Sequence, residues 1–143
     1  MEAVLSATQV RANVGEFIDT VVREKPQLVK RNRDIIVATS VEQMRNLLSI
    51  YELNFEFEID EDGKYAGSVE EIDFIVAEGD TAEKLRKNLA MNLMEYAKDF
   101  MSDYHRYTSA PNTRIHAPYV LRIMLEDDVD AVASLLHGDA ELE

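Results

Sequence analysis

Two helix-start signals stand seven residues apart near the beginning of the chain, at Ser6 and Asn13. Ser6 precedes Ala7 and has Gln9 three residues on, the pattern of a capping box. Asn13 precedes Val14 and has Glu16 at the same offset. Two such caps predict two short helices meeting at an angle, which excludes one long rod. In the second helix Val14, Phe17, Ile18, Val21 and Val22 fall at helical spacing and form one apolar face, and Pro26 ends it. Gln27–Arg31 and Ile35–Thr39 are rich in strand formers around the turn-forming Asn32-Arg33-Asp34, which predicts a hairpin. Ser40 with Gln43 starts a third helix whose Val41, Met44, Leu47 and Leu48 are expected to face inward.

About fifty residues bury too little surface to be comfortable alone, so this module is expected to dimerise. A two-fold dimer presents two copies of the first helix and its junction to a pseudo-palindromic DNA site. Arg11 and Asn13 lie at that junction. Arginine suits bidentate contact to guanine or a phosphate, and asparagine suits adenine or a phosphate.

The ordered combination of helix, helix, hairpin and helix over residues 5–53, with Arg11, Asn13 and Val14 in Arg-x-Asn-apolar order, resembles the DNA-binding half of Phd/YefM-type antitoxins. That resemblance implies that Arg11 contributes to operator binding. It matches Arg31, in V-K-R-N-R-D, to an arginine common just before the hairpin turn, and Lys30 and Arg33 are its basic neighbours. The turn departs from the pattern: Arg33-Asp34 stands where a glycine is common.

The bulk charge of −13 over 143 residues argues against nucleic acid, but its distribution is uneven. Residues 1–53 hold seven Lys/Arg and seven Asp/Glu, so the excess acid lies entirely in residues 54–143. An acidic half beside a neutral one implies different partners for the two, or a merely solubilising surface.

In that acidic half Phe55, Phe57 and Ile59 alternate with Glu56, Glu58 and Asp60, as in a half-buried strand. Asp62-Gly63 is a turn, and Lys64–Val69 and Ile72–Ala77 read as two further strands. Asp80, with Glu83, is the expected cap of a long helix reaching about Tyr104, striped by Leu85, Leu89, Leu93, Ala97 and Phe100. His105–Pro118 reads as loop, and Tyr119–Leu125 as a strand. Asp127 or Asp128 caps a last helix through Val132 and Leu136 that Gly138 stops, with a frayed tail from Asp139 to Glu143. The stretch I-D-E-D-G-K-Y-A-G-S-V and the later E-G-D-T-A-E-K-L resemble HicB-type antitoxins over residues 54–104, which implies a partial ribonuclease-H-like fold. The sequence departs from that pattern at Val69-Glu70-Glu71-Ile72-Asp73, and no DNA-binding segment follows the fold.

Asp60, Asp62, Asp73 and Asp80 are enough carboxylates for a two-metal nuclease on paper, but each has a duller role as turn former, solvated strand face or helix cap. His105, His116 and His137 lie far apart without metal-ligand spacing, so neither catalysis, nor a metal, nor a cofactor is expected. The absence of cysteine excludes disulfides and thiolate metal sites. No run approaches the ~18 apolar residues of a membrane span, and a soluble cytoplasmic protein is expected.

The combined expectation is an α+β chain. A Phd/YefM-like ααββα dimerisation and DNA-binding module would span residues 1–53, and a HicB-like βββαβα domain residues 54–143. The function it implies is that of an antitoxin in a type II toxin–antitoxin system. As a homodimer or higher oligomer it would bind a palindrome in its own promoter and neutralise a basic toxin by occlusion. The alternative is a stand-alone transcription regulator whose second domain oligomerises or senses a ligand.

Overall fold

The structure is a computed structural model in which residues 3–138 are described. The chain divides into two compact units, Met1–Leu47 and Leu48–Glu143. The architecture is α+β with two mixed sheets.

The first unit runs β1 (Val4–Ser6), α1 (Ala7–Ala12), α2 (Val14–Arg23), β2 (Gln27–Arg31), β3 (Asp34–Ala38) and α3 (Val41–Leu48). The order ααββα is therefore preceded by a strand. At three residues β1 is too short to show alternation, and it exists by parallel pairing with β2, Val4 against Leu28 and Ser6 against Lys30. Ser6 ends this strand and caps α1. Its Oγ accepts from Gln9 N at 3.1 Å, and Gln9 Oε1 accepts from Ser6 N at 2.8 Å. Asn13 closes α1 and opens α2, but its side chain caps no backbone group; the amide donates to the Glu16 carboxylate instead. The hairpin turn is two residues long, because Asp34 pairs with Arg31. Asn32 takes φ +56°, a left-handed conformation that asparagine tolerates better than most residues, so no glycine is needed there.

Ser40 and Gln43 form the box that starts α3, with Gln43 N donating to Ser40 Oγ at 3.1 Å. The inward face expected for α3 is only half realised. Leu48 is buried and Met44 partly so, but Val41 and Leu47 are exposed, Leu47 by 64%. On α2 Val21 is buried while Val14, Ile18 and Val22 remain about half exposed. On β3 Ile36 and Val37 are 61% and 60% exposed. A sheet of three short strands has too little area to cover both helices and its own second face.

The second unit begins with β4 (Leu53–Ile59), β5 (Tyr65–Val69) and β6 (Val76–Gly79). Five helices follow: α4 (Ala82–Ser102), α5 (Tyr104–Ser109), α6 (Pro111–Arg114), α7 (Ala117–Met124) and α8 (Val129–Ala133). Strand β7 (Leu136–Gly138) returns to the sheet, whose order is β6-β5-β4-β7 with β7 parallel to β4. One core joins Leu53, Phe55 and Val69 of the sheet to Leu85, Leu89, Leu93 and Phe100 of α4, all essentially inaccessible. Val120 of α7, Val132 of α8 and Leu136 of β7 complete it.

Several expectations for this half are corrected. The third strand starts at Val76, not Ile72: Ile72 and Ile75 are buried from a turn in which Ile75 N donates to Ile72 O. The cap of α4 is Thr81, whose Oγ1 accepts from Lys84 N at 3.0 Å, and not Asp80. The stretch His105–Pro118 is mostly helix, with Pro111 and Pro118 in the first turns of α6 and α7, where a missing N–H is harmless. Tyr119–Leu125, expected as a strand, belongs largely to α7; its buried Val120 and Ile123 are three apart, a helical interval. Asp128 caps α8, accepting from Ala131 N at 2.8 Å. Leu136, expected on that helix, lies in β7, so βββαβα becomes three strands, five helices and a strand. The tail Asp139–Glu143 lies outside the described residues.

The free edge of β6 is covered by α4. Its outward carbonyls at Glu78 and Val76 accept from the side-chain amides of Asn88 (2.7 Å) and Asn92 (2.8 Å), one helical turn apart.

Candidate functional site

In the first unit the β1–β2 register places the capping residue Ser6 beside Lys30. Lys30 and Asn32 therefore share a shallow recess with Gln9 of α1. Lys30 and Arg31 are consecutive on β2 and project to opposite faces of the sheet. Arg33 is in the hairpin turn, and Arg11 is in the last turn of α1. All four cations are exposed, and among the described residues none of them forms an ion pair. Asn13 lines a separate cleft of about 270 Å³ with Gln9, Phe17 and Thr20, its amide held by Glu16. The five residues singled out in the sequence are thus split. Lys30 meets the start of α1, Asn13 meets α2, and Arg11 lines neither recess. Gln9, legible only as a cap, lines both.

The second unit contains a buried polar pair that sequence reasoning missed. Tyr96 Oη lies 2.7 Å from His116 Nδ1, between α4 and the start of α7. Phe74 packs edge-on against both rings, and Phe100 and Tyr107 pack edge-on against Tyr96. Burial, with a smaller contribution from Tyr107, pushes the Tyr96 hydroxyl up to about 12. Burial lowers His116 below its ordinary value, against an opposing pull from Asp73. The pair is therefore neutral, joined by one proton. Twenty residues separate the partners, and the segment that carries His116 toward Tyr96 reads as loop, so no sequence signal joins them.

The carboxylates considered for metal chemistry are dispersed. Asp60 is occupied by its own turn, accepting from the backbone N of Asp62 at 2.9 Å and of Lys64 at 2.8 Å. Among the described residues no group of three or more acidic or histidine side chains is placed to hold a metal ion. No helix among them is long and apolar enough to cross a membrane.

The two units offer surfaces: unpaired cations and exposed β-branched side chains on one, a sealed core under an acidic exterior on the other. These are the attributes of a binding protein. The chain belongs to the PHD-like family of antitoxins of RelE/RelB toxin–antitoxin systems, whose model matches residues 1–138. It is also similar to a crystal structure of an antitoxin part of a toxin/antitoxin system from Syntrophomonas wolfei subsp. wolfei. Identity is 36%, with 94% of this chain and 96% of that one covered and a TM-score of 0.83. No curated protein matches significantly. Membership in this family implies a toxin as partner.

Proposed function

We propose that this antitoxin acts as a dimer that binds a palindrome in its own promoter and neutralises its toxin by occlusion. In this reading residues 1–53 are a Phd/YefM-like DNA-binding and dimerisation domain, and residues 54–143 a HicB-like domain that takes up a basic toxin. The observation that carries it is the pairing of features on the first unit. Exposed Ile18 and Val22 on α2, with Ile36 and Val37 on opposite faces of β3, supply apolar surface for a second copy. Arg11, Lys30, Arg31 and Arg33, unpaired among the described residues, supply cations for phosphate and base edges. Asn13 is the fifth contact, its carbonyl-side oxygen free to accept while its amide is held by Glu16. The order β4-β5-β6-α4 supports the HicB-like assignment for the start of the second domain. The cytoplasm is the compartment this role implies.

The test is fluorescence anisotropy of the full chain on a duplex from its own upstream region, against a scrambled duplex of equal length, with salt varied. Specific binding that weakens steeply with salt is the expected result. Equal affinity for both duplexes would end the repressor half of the proposal.

A further inference from the structure

The four-stranded sheet of the second unit is covered by helix on one side only. Its other face carries Glu56 and Glu58 of β4, Ala66 and Ser68 of β5, and Val76 and Glu78 of β6. The register aligns them in two rows, Glu56-Ser68-Val76 and Glu58-Ala66-Glu78. The small side chains of β5 leave a trough on either side of that strand, each about 380 Å³. None of the sheet's four strands contains a lysine or arginine. Among the described residues Glu56, Glu58 and Glu78 have no ion-pair partner.

We infer that this open face is where the toxin docks, through a basic segment that lays lysine or arginine side chains into the two troughs. The inference rests on the toxin-binding role proposed above and assigns it to one surface. Charge complementarity selects the occupant. Every formal charge within the paired strands of the face is negative, and Lys64 at its turn end stands opposite Asp60, so a phosphate backbone is repelled and a cationic segment relieves the repulsion between neighbours. Glu56 and Glu58 lie about 7 Å apart along β4, and Glu58 and Glu78 about 10 Å apart across Ala66. Those intervals suit two or three cations, whose aliphatic stems would lie over Ala66 and Val76. Docking by strand addition at β6 is not available, because Asn88 and Asn92 already hold its outward carbonyls. The partner is therefore received on the face and not on that edge.

The test compares two triple variants of the full chain for association with the toxin of this system at low and high salt. One is Glu56→Gln/Glu58→Gln/Glu78→Gln. The other removes the same charge elsewhere, by Glu61→Gln/Glu95→Gln/Asp99→Asn. The face variant should associate roughly tenfold more slowly at low salt and lose most of its salt dependence, with the control close to wild type. Ala66→Arg, which puts a cation into the trough, should weaken binding further while circular dichroism stays unchanged. Equal effects from both triples, or none from the face variant while the toxin still binds, would overturn the face assignment and leave occlusion standing. A wild-type chain that does not bind the toxin would remove both. A face variant that changes the chain's own mass in solution, and not its toxin association, would give the face to a second copy and overturn the proposal.

Discussion

The smaller unit keeps many of its aliphatic side chains outside, while the larger one, although Ile59, Val76 and Ile115 are exposed, also seals in an extensive core. Val14, Ile18, Val22, Ile36, Val37 and Leu47 are all at least half exposed in the first unit. In the second, Phe55, Leu85, Leu89, Leu93 and Phe100 are at most 2% exposed. Size explains part of this, since a small chain segment has a high surface-to-volume ratio and cannot enclose its own apolar residues. The helix count explains more. Helix α4, backed by α7 and α8, closes over one face of the second sheet, whereas the first unit has three short helices. On the proposed dimer the difference gives stability in this chain two origins, one internal to a unit and one supplied by a second copy.

The sharpest way to break that comparison is to spoil the exposed face. Ile36→Asp should leave the larger unit folded yet dissociate the proposed dimer. The two-fold axis counts the change twice, for about 3–6 kcal/mol of lost association. Sedimentation of wild type and variant at micromolar concentration checks it, and an unchanged mass would show that β3 is not in the interface. Inside the closed unit, Leu93→Ala should cost about 2–5 kcal/mol in denaturant unfolding by leaving a cavity between α4 and the sheet. Dimerisation should be unaffected by that change. A smaller effect comes from the exposed cations. Arg11→Ala should weaken operator binding by about 1–3 kcal/mol if the guanidinium reads a base, and should weaken binding to all duplexes alike with a shallower salt dependence if it holds a phosphate. Unaltered affinity in a folded variant would remove Arg11 from the interface.

The smallest effect is a pH dependence confined to the larger unit. His116 has a folded-state value below its ordinary 6.5, so near that pH the unfolded chain binds more protons. Stability from the Tyr96–His116 pair is therefore full above about 6.5 and declines as the pH falls below it toward the folded-state value. Tyr96 acts at the other end: with the folded value near 12 against 10 unfolded, stability declines as pH rises between them. Unfolding midpoints of wild type and Tyr96→Phe between pH 5 and 8, on the order of the His range, would show the acid limb. A slope that is identical in His116→Gln would assign it to another group.

Local chemistry was the readable part of this fold. Ser6 with Gln9 and Ser40 with Gln43 form the boxes their spacing predicts, because a cap is decided within four residues. The leucine stripe of α4 and the alternation of β4 were legible for the same reason, being long enough to show a period. The Asp80 cap was a local failure, since the next residue, Thr81, takes that place; the other failures were segments decided by distant partners. The β1 strand exists through its pairing with Leu28 and Val29. The run Tyr119–Leu125 is apolar enough to fit either period, and packing against α4 makes it a helix. Leu136 joins a strand because Leu53 is there to pair with it. Of the candidate DNA contacts, the residue types and the exposure of Arg11 and Lys30 were foreseeable. The recess that Lys30 shares with Gln9 was not, since it depends on the unforeseen β1.

The seal along β6 works as a vernier. Four residues of helix advance about 6.0 Å, while two residues of strand advance about 6.7 Å, so successive contacts drift apart by about 0.7 Å. Two rungs, Asn88 on Glu78 and Asn92 on Val76, stay within hydrogen-bond reach. On the third, Tyr96 meets Phe74 ring to ring, at 4.9 Å between centroids. Hydrogen bonds tolerate only a few tenths of an ångström, and an aromatic contact tolerates much more. The strand has ended by that rung, at the Ile72–Ile75 turn, so the helix has only two hydrogen-bonded rungs of edge to close before an aromatic contact takes over.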